Sequence, residues 1–200
     1  MERRRVLAGA MLLAGVAFGV RASAMEASTQ ELPLFDRLGF RATRYRAVID
    51  RAPTPAISMP LDRALRLHPG KDALFLDVLP AEGGHLDRTS GRWMLAESHD
   101  TIPGSLWFPE TGRGVVDPLL WSALTARVEA VRHDHPDWPI VVFCRADCWM
   151  SWNASRRLAR AGVANVFWFA EGIDGWHDAG RALVQVVPET VSVAQVRNAS

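Results

Sequence analysis

The only two cysteines of the 200-residue chain stand four positions apart, in Cys144-Arg145-Ala146-Asp147-Cys148-Trp149. A thiolate attacks disulfides and sulfane sulfur, and a second thiol in the same short loop can displace the product by closing a disulfide. So short a loop constrains little unfolded-chain entropy, which weakens a stapling role, although an oxidising compartment would form the bond readily. Two readings stay open. One is a two-cysteine relay, with Cys144 as nucleophile and Cys148 as resolving thiol or the roles exchanged. The other is a static disulfide that shapes a pocket. Arg145, Ala146, Asp147, Met150 and Ser151 are the candidate loop and substrate contacts around the pair. Trp149 and Trp152 bracket the loop, either as an aromatic wall for a flat ligand such as a quinone or as core. Asp77 and Asp147 are candidate acids or bases near the sulfur, with an N-cap or turn role the plainer reading of Asp147.

Positioning such a thiol requires a strand before it and a helix after it. Residues 139–143 are the clearest strand pattern in the chain, and a helix is expected over about 151–161, stopped by Gly162. A cysteine at the carboxyl end of a buried strand sits where open α/β sheets place ligands. The loop and helix N–H groups are expected to point at Cys144 and to favour its thiolate. Further short apolar runs at 73–78, 105–108 and 166–169 read as buried strands. A short helix is expected after Pro60, and a longer one begins at Asp117-Pro118, an acidic N-cap followed by proline at the first helical position. Residues 80–98 read as loop, and Glu171-Gly172-Ile173-Asp174-Gly175-Trp176 as a turn. The alternation gives an α/β fold, an open and mostly parallel sheet flanked by helices.

The ends carry other messages. Arg3, Arg4 and Arg5 precede an uncharged run over 6–20 that closes with Ala22-Ser23-Ala24, the pattern of a cleaved secretory signal over 1–24. Export to the periplasm is therefore expected, with no membrane attachment after cleavage. The run is too short to span a bilayer. Residues 25–59 read as an extension wrapped on the domain and pinned by Phe40, Tyr45, Val48 and Ile49. The domain proper is expected over 60–187, and 188–200 as a loosely held tail. A net charge of +1, with Lys71 the sole lysine, leaves no electrostatic footprint for nucleic acid. No metal site is expected: His133 and His135 suit the end of a helix. Covalent haem is excluded because no Cys-x-x-Cys-His occurs.

Strand, Cys144, loop and helix, followed by the 166–169 strand and the 171–176 turn, resemble the second half of a rhodanese domain. Leu76-Asp77-Val78 resembles that family's Asp-Val segment, and His99-Asp100-Thr101-Ile102-Pro103-Gly104-Ser105 its His-Ile-Pro-Gly-Ala segment. The likeness covers roughly 60–182 and implies a rhodanese-like fold, with a persulfide carried on Cys144 and His99 supporting the turn. Rhodaneses place an arginine five residues after the cysteine, and related phosphatases six. Trp149 and Met150 stand there instead. No bidentate clamp for a dianion follows, so phosphatase activity is not expected and thiosulfate is a doubtful donor. Cys148-Trp149, with Tyr45-Arg46-Ala47 upstream, is similar to an exported rhodanese-like group associated with pyrroloquinoline-quinone (PQQ)-dependent alcohol catabolism. That likeness implies a sulfurtransferase or thiol-disulfide protein working with a small sulfur donor or a redox partner. A PQQ-dependent dehydrogenase or a c-type cytochrome is the kind of partner it suggests. The rival is a non-catalytic module that binds a redox cofactor or a dehydrogenase and keeps a structural disulfide.

Overall fold

The computed structural model describes residues 32–192. The leader expected over 1–24 and the tail beyond 192 lie outside them. In chain order the elements are β1 (Ile57–Met59), α1 (Leu61–Ala64), β2 (Leu74–Asp77), β3 (His85–Asp87), β4 (Arg92–Met94), β5 (His99–Thr101) and β6 (Leu106–Trp107). There follow α2 (Pro118–Asp134), β7 (Ile140–Phe143), α3 (Trp149–Arg160), β8 (Val166–Phe169), α4 (Gly172–Asp178) and β9 (Val184–Val186).

β1, β8, β7, β2 and β6 hydrogen-bond in that order into one sheet, every pair parallel. The central strands β2, β7 and β8 are buried along their whole length. Their sequences accordingly read as continuous apolar runs. Strand parity divides the core. Leu74, Leu76, Ile140 and Val142 face one layer with Leu124 and Val128 of α2 and with Met150, Ala154 and Leu158 of α3. Phe75, Val141, Phe143, Phe167 and Phe169 face the other, with Ala64, Ile173 and Trp176. This is the expected α/β architecture.

Local physics accounts for the helices. The Asp117 carboxylate accepts a hydrogen bond from the Leu119 N–H at 2.9 Å, capping α2 as its Asp-Pro start implies. In α3, residues 149 to 155 are all buried, so its first two turns have no solvent face. The extension causes this: Phe35, Tyr45, Ala47 and Ile49 pack on Trp149, Trp152 and Trp168. Phe40 is also buried as expected, whereas Val48 is exposed.

Four local expectations give way. Residues 57–59, read as the end of the extension, form the edge strand β1 on β8. The expected loop over 80–98 contains the β3–β4 hairpin. The 171–176 turn is the start of helix α4. The described part of the tail is held: Val191 is buried and its N–H donates to the Gly91 carbonyl, while Glu189 pairs with Arg127.

Candidate thiol site

In the sheet order, the chain runs outward from β2 to β6 and then returns to place β7 on the other side of β2. The carboxyl ends of β2 and β7 therefore flank the switch point, where open α/β sheets leave a crevice. Val78 and Leu79 follow β2 there, and Cys144 follows β7. Three neighbouring cavities, of about 360, 230 and 440 Å3, all border Leu79 and Arg145.

Cys144 keeps the parity of Ile140 and Val142. Its side chain thus enters the layer beneath α2 and α3 and is fully buried. Cys148 is the N-cap residue of α3 and 2% exposed, yet it borders the 440 Å3 cavity, which Cys144 does not. Both are free, buried thiols, and each shifts the titration of the other. Burial pushes the Cys144 thiol well up, and the hydrogen bond to Cys148 and the nearby Cys148 and Asp77 charges push it further. Cys148 is drawn down, first by the hydrogen bond it receives from Cys144. Burial opposes this, while the N–H groups of Met150 and Ser151 and the Arg46 charge assist it. The loop N–H of Arg145 bonds Cys144 as expected and lowers it slightly, but the N–H groups at the start of α3 favour Cys148 instead. One residue of parity decides it, because the strand carries Cys144 inward before the helix begins.

The loop between the sulfurs is clamped from two sides. The Tyr45 carbonyl accepts from the Trp149 N–H at 2.8 Å, the Ala47 N–H donates to the Asp147 carbonyl at 3.0 Å, and Arg46 donates to the Ala146 carbonyl. From the other side, Asp174 accepts from the Ala146 N–H at 3.0 Å, and the Ile173 N–H donates to the Cys144 carbonyl at 2.9 Å. Gly172, at φ +55°, lies so close that a Cβ there would sit 2.1 Å from the Cys144 carbonyl oxygen. Asp147 holds φ +52°, which makes it the turn residue, and Cys148 rather than Asp147 stands at the N-cap position, with no side-chain cap bond. Arg145 is exposed and reaches all three cavities.

The other candidates are placed as follows. Ser151 donates to the Cys148 carbonyl at 3.1 Å and accepts from the Trp168 indole at 3.0 Å. Met150 is buried in the α2–α3 layer and also borders the cavity beside Cys148. Trp149 and Trp152 are 1% and 2% exposed and meet edge to face at 5.2 Å. They form core, not a surface wall, because the extension covers them. The flat-ligand surface needed by the binding-module reading is therefore absent at these two rings. Asp77 is fully buried and accepts from Thr101 at 2.6 Å and the Leu79 N–H at 2.9 Å, and it bonds the His99 ring at 2.7 Å. His99 packs on Trp107 with ring centres 4.3 Å apart. The Asp77 and His99 segments thus brace each other under the site, a positioning role. Among the described residues, no group of three or more His, Cys, Asp or Glu side chains could hold a metal ion.

Sequence reading missed the arginines. Arg44, Arg46, Arg113 and Arg145 converge on the cavity beside Cys148 from three separate segments. Only Arg145 stood out by position in the loop, and the Tyr45-Arg46-Ala47 segment was the one other signal.

Residues 63–179 match the family model of the rhodanese-like domain. Among solved structures the chain is similar to thiosulfate sulfurtransferase from Pseudomonas aeruginosa, with 21% identity and a TM-score of 0.42, over 72% of this chain and 25% of that one. It is also similar to the Tum1 protein from Saccharomyces cerevisiae, with 19% identity and a TM-score of 0.34, over 62% of this chain and 42% of that one. The chain thus spans less than half the length of either. No curated protein matches it. The family match runs over more than half of the sequence, through both cysteines and the braced Asp77–His99 pair: the chain belongs to the rhodanese-like domain family.

Proposed function

We propose that the protein is a two-thiol relay of the sulfur-transfer or thiol-disulfide kind, with Cys148 as the attacking sulfur and Cys144 as the resolving thiol. The observation that carries this reading is the asymmetry of the pair. Cys148 borders a cavity and stands at the N-cap position of α3, while Cys144 does not reach that cavity and is buried in the layer beneath α2 and α3. A thiolate held at a helix N-terminus is the reactive form. The second thiol, once it has passed its proton to the departing group, can attack the adduct formed on the first sulfur. Core tryptophans at positions 149 and 152 weigh against a binding module built on those rings. We further place the relay after export, beside PQQ-dependent alcohol oxidation, on the resemblance of the Cys-x-x-x-Cys-Trp loop and the Tyr45-Arg46-Ala47 segment.

The test is trapping on the reduced chain with a small disulfide and with a sulfane donor, read by intact mass and peptide mapping. Cys144→Ser should accumulate an adduct on Cys148, and Cys148→Ser should form none. The unmodified chain should pass to a Cys144–Cys148 disulfide. An adduct on Cys144 in Cys148→Ser, with Cys148 inert in Cys144→Ser, reverses the assignment. A disulfide that resists reduction down to roughly −300 mV is a structural one and removes the relay.

A further inference from the structure

The cavity beside Cys148 has a volume of about 440 Å3. Sites of roughly 300–1,000 Å3 hold small organic molecules, and this one far exceeds the space an inorganic sulfur anion fills. Its lining has two characters. Tyr45, Leu79 and Met150 give it apolar wall, while four arginines line it beside one acidic residue, Glu82. Arg113 is fixed by Glu110 and lies over the Tyr45 ring at 5.1 Å. Arg46 is fixed by the Ala146 carbonyl, and Arg44 and Arg145 also line the cavity. None of these arginines occupies position 149 or 150, where a rhodanese or phosphatase loop would clamp a dianion at the sulfur itself. The positive charge instead surrounds the approach to the sulfur, with apolar surface between.

Building on the relay reading above, we propose that this cavity admits a carboxylate-bearing organic disulfide and presents its S–S bond to Cys148. The Cys148 thiolate attacks one sulfur of R–S–S–R, forming Cys148–S–S–R and expelling RS⁻. The expelled RS⁻ takes the Cys144 proton and leaves as RSH, and the Cys144 thiolate then attacks the Cys148 sulfur, forming the Cys144–Cys148 bond and expelling the second RS⁻. Two cysteines are oxidised by two electrons, and the substrate is reduced to two thiols. The arginines hold the carboxylates; the apolar wall takes the chain between carboxylate and sulfur.

The test uses the reduced full chain and four probes: dithiodiglycolate (dianionic), bis(hydroxyethyl) disulfide (neutral), cystamine (dicationic) and thiosulfate. Rates at Cys148 are followed by mass and divided by each disulfide's rate with a free small thiol. Electrostatic steering of this kind raises association on the order of tenfold, so dithiodiglycolate should lead the neutral probe by about that factor, with cystamine slowest. The lead should shrink with added salt. It should also fall in Arg145→Gln and in Arg113→Gln. Because each ratio compares two probes on one thiolate, a variant that merely changes Cys148 reactivity cancels. An equal or faster neutral probe overturns the substrate class while leaving the relay intact. Thiosulfate loading Cys148 faster than dithiodiglycolate reacts does the same. No disulfide reacting at Cys148 sinks the relay as well.

Discussion

Asn153 ties the thiol helix to the segments just before Arg44 and Arg113 of the arginine-lined cavity, and its replacement has a size that follows from the structure. The side chain is fully buried. Its Oδ1 accepts from the Arg41 N–H at 2.8 Å, and its Nδ2 donates to the carbonyls of Arg41 and Gly112, both at 2.9 Å. Asn153→Ala leaves one N–H and two carbonyls without those partners. At about 1 kcal/mol per lost bond, and more where no water enters, the cost is about 3–4 kcal/mol. For a domain of this size that lowers Tm by roughly 6–15 °C. Asn153→Asp separates the two kinds of bond. It keeps the acceptor for Arg41 but turns a carboxylate oxygen toward two carbonyls, so the native state favours the protonated acid. Its folded pKa then lies above the unfolded value, so its stabilising contribution is present at low pH and lost as pH rises through the folded pKa. Thermal and urea unfolding at pH 5 and pH 7 would read both variants. Asn153→Asp should recover stability relative to the unmodified chain on acidification, and Asn153→Ala should not. An Asn153→Ala variant within about 0.5 kcal/mol of the unmodified chain, the range of an ordinary surface change, would refute the claim that these bonds hold the extension down.

Further expectations concern the sulfurs and the packing beneath them. Alkylation by a small reagent should reach Cys148 first and persist below the ordinary thiol pKa of about 8.5; prior reaction at Cys144 by peptide mapping would contradict this. Cys144→Ala should move the Cys148 profile to higher pH, since the bond from Cys144 is the largest influence lowering it. The two thiols also act oppositely on stability. The lowered Cys148 stabilises above its unfolded pKa and loses this as pH falls through its folded pKa. The raised Cys144 stabilises below its unfolded pKa and loses this as pH rises through its folded one. Gly172→Ala should cost about 3 kcal/mol or more, from a left-handed φ and a Cβ driven into the Cys144 carbonyl, and urea titration measures it. Trp152→Phe should cost about 1–2 kcal/mol by losing its bond to the Arg51 carbonyl. Trp149→Phe should cost less, because the Trp149 indole N–H is buried without a partner; equal costs would count against this reading.

The sheet was legible because its strands are buried on both faces and so appear as short apolar runs after turn residues, as at 73–78, 139–143 and 166–169. Where burial is one-sided the pattern thins, and β1, the β3–β4 hairpin and α4 were hidden for that reason. Ile57 of β1 is more than half exposed, and α4 begins at a glycine chosen for a close approach to Cys144 rather than for helix propensity. The pair of cysteines was legible as chemistry, but their order was not. The rule that a helix N-terminus activates the thiol at a strand end is sound only if the two meet at the same residue. Four positions separate them here, and strand parity turns Cys144 into the core while α3 starts just after its N-cap residue Cys148. That parity was written in the sequence: Ile140 and Val142 share their face with Cys144. What no periodicity announces is a site assembled from arginines at 44, 46, 113 and 145, since only the fold brings the extension and the loop before α2 to the thiol loop. The chemistry that a second cysteine makes available is local, and the charge that selects its substrate is tertiary.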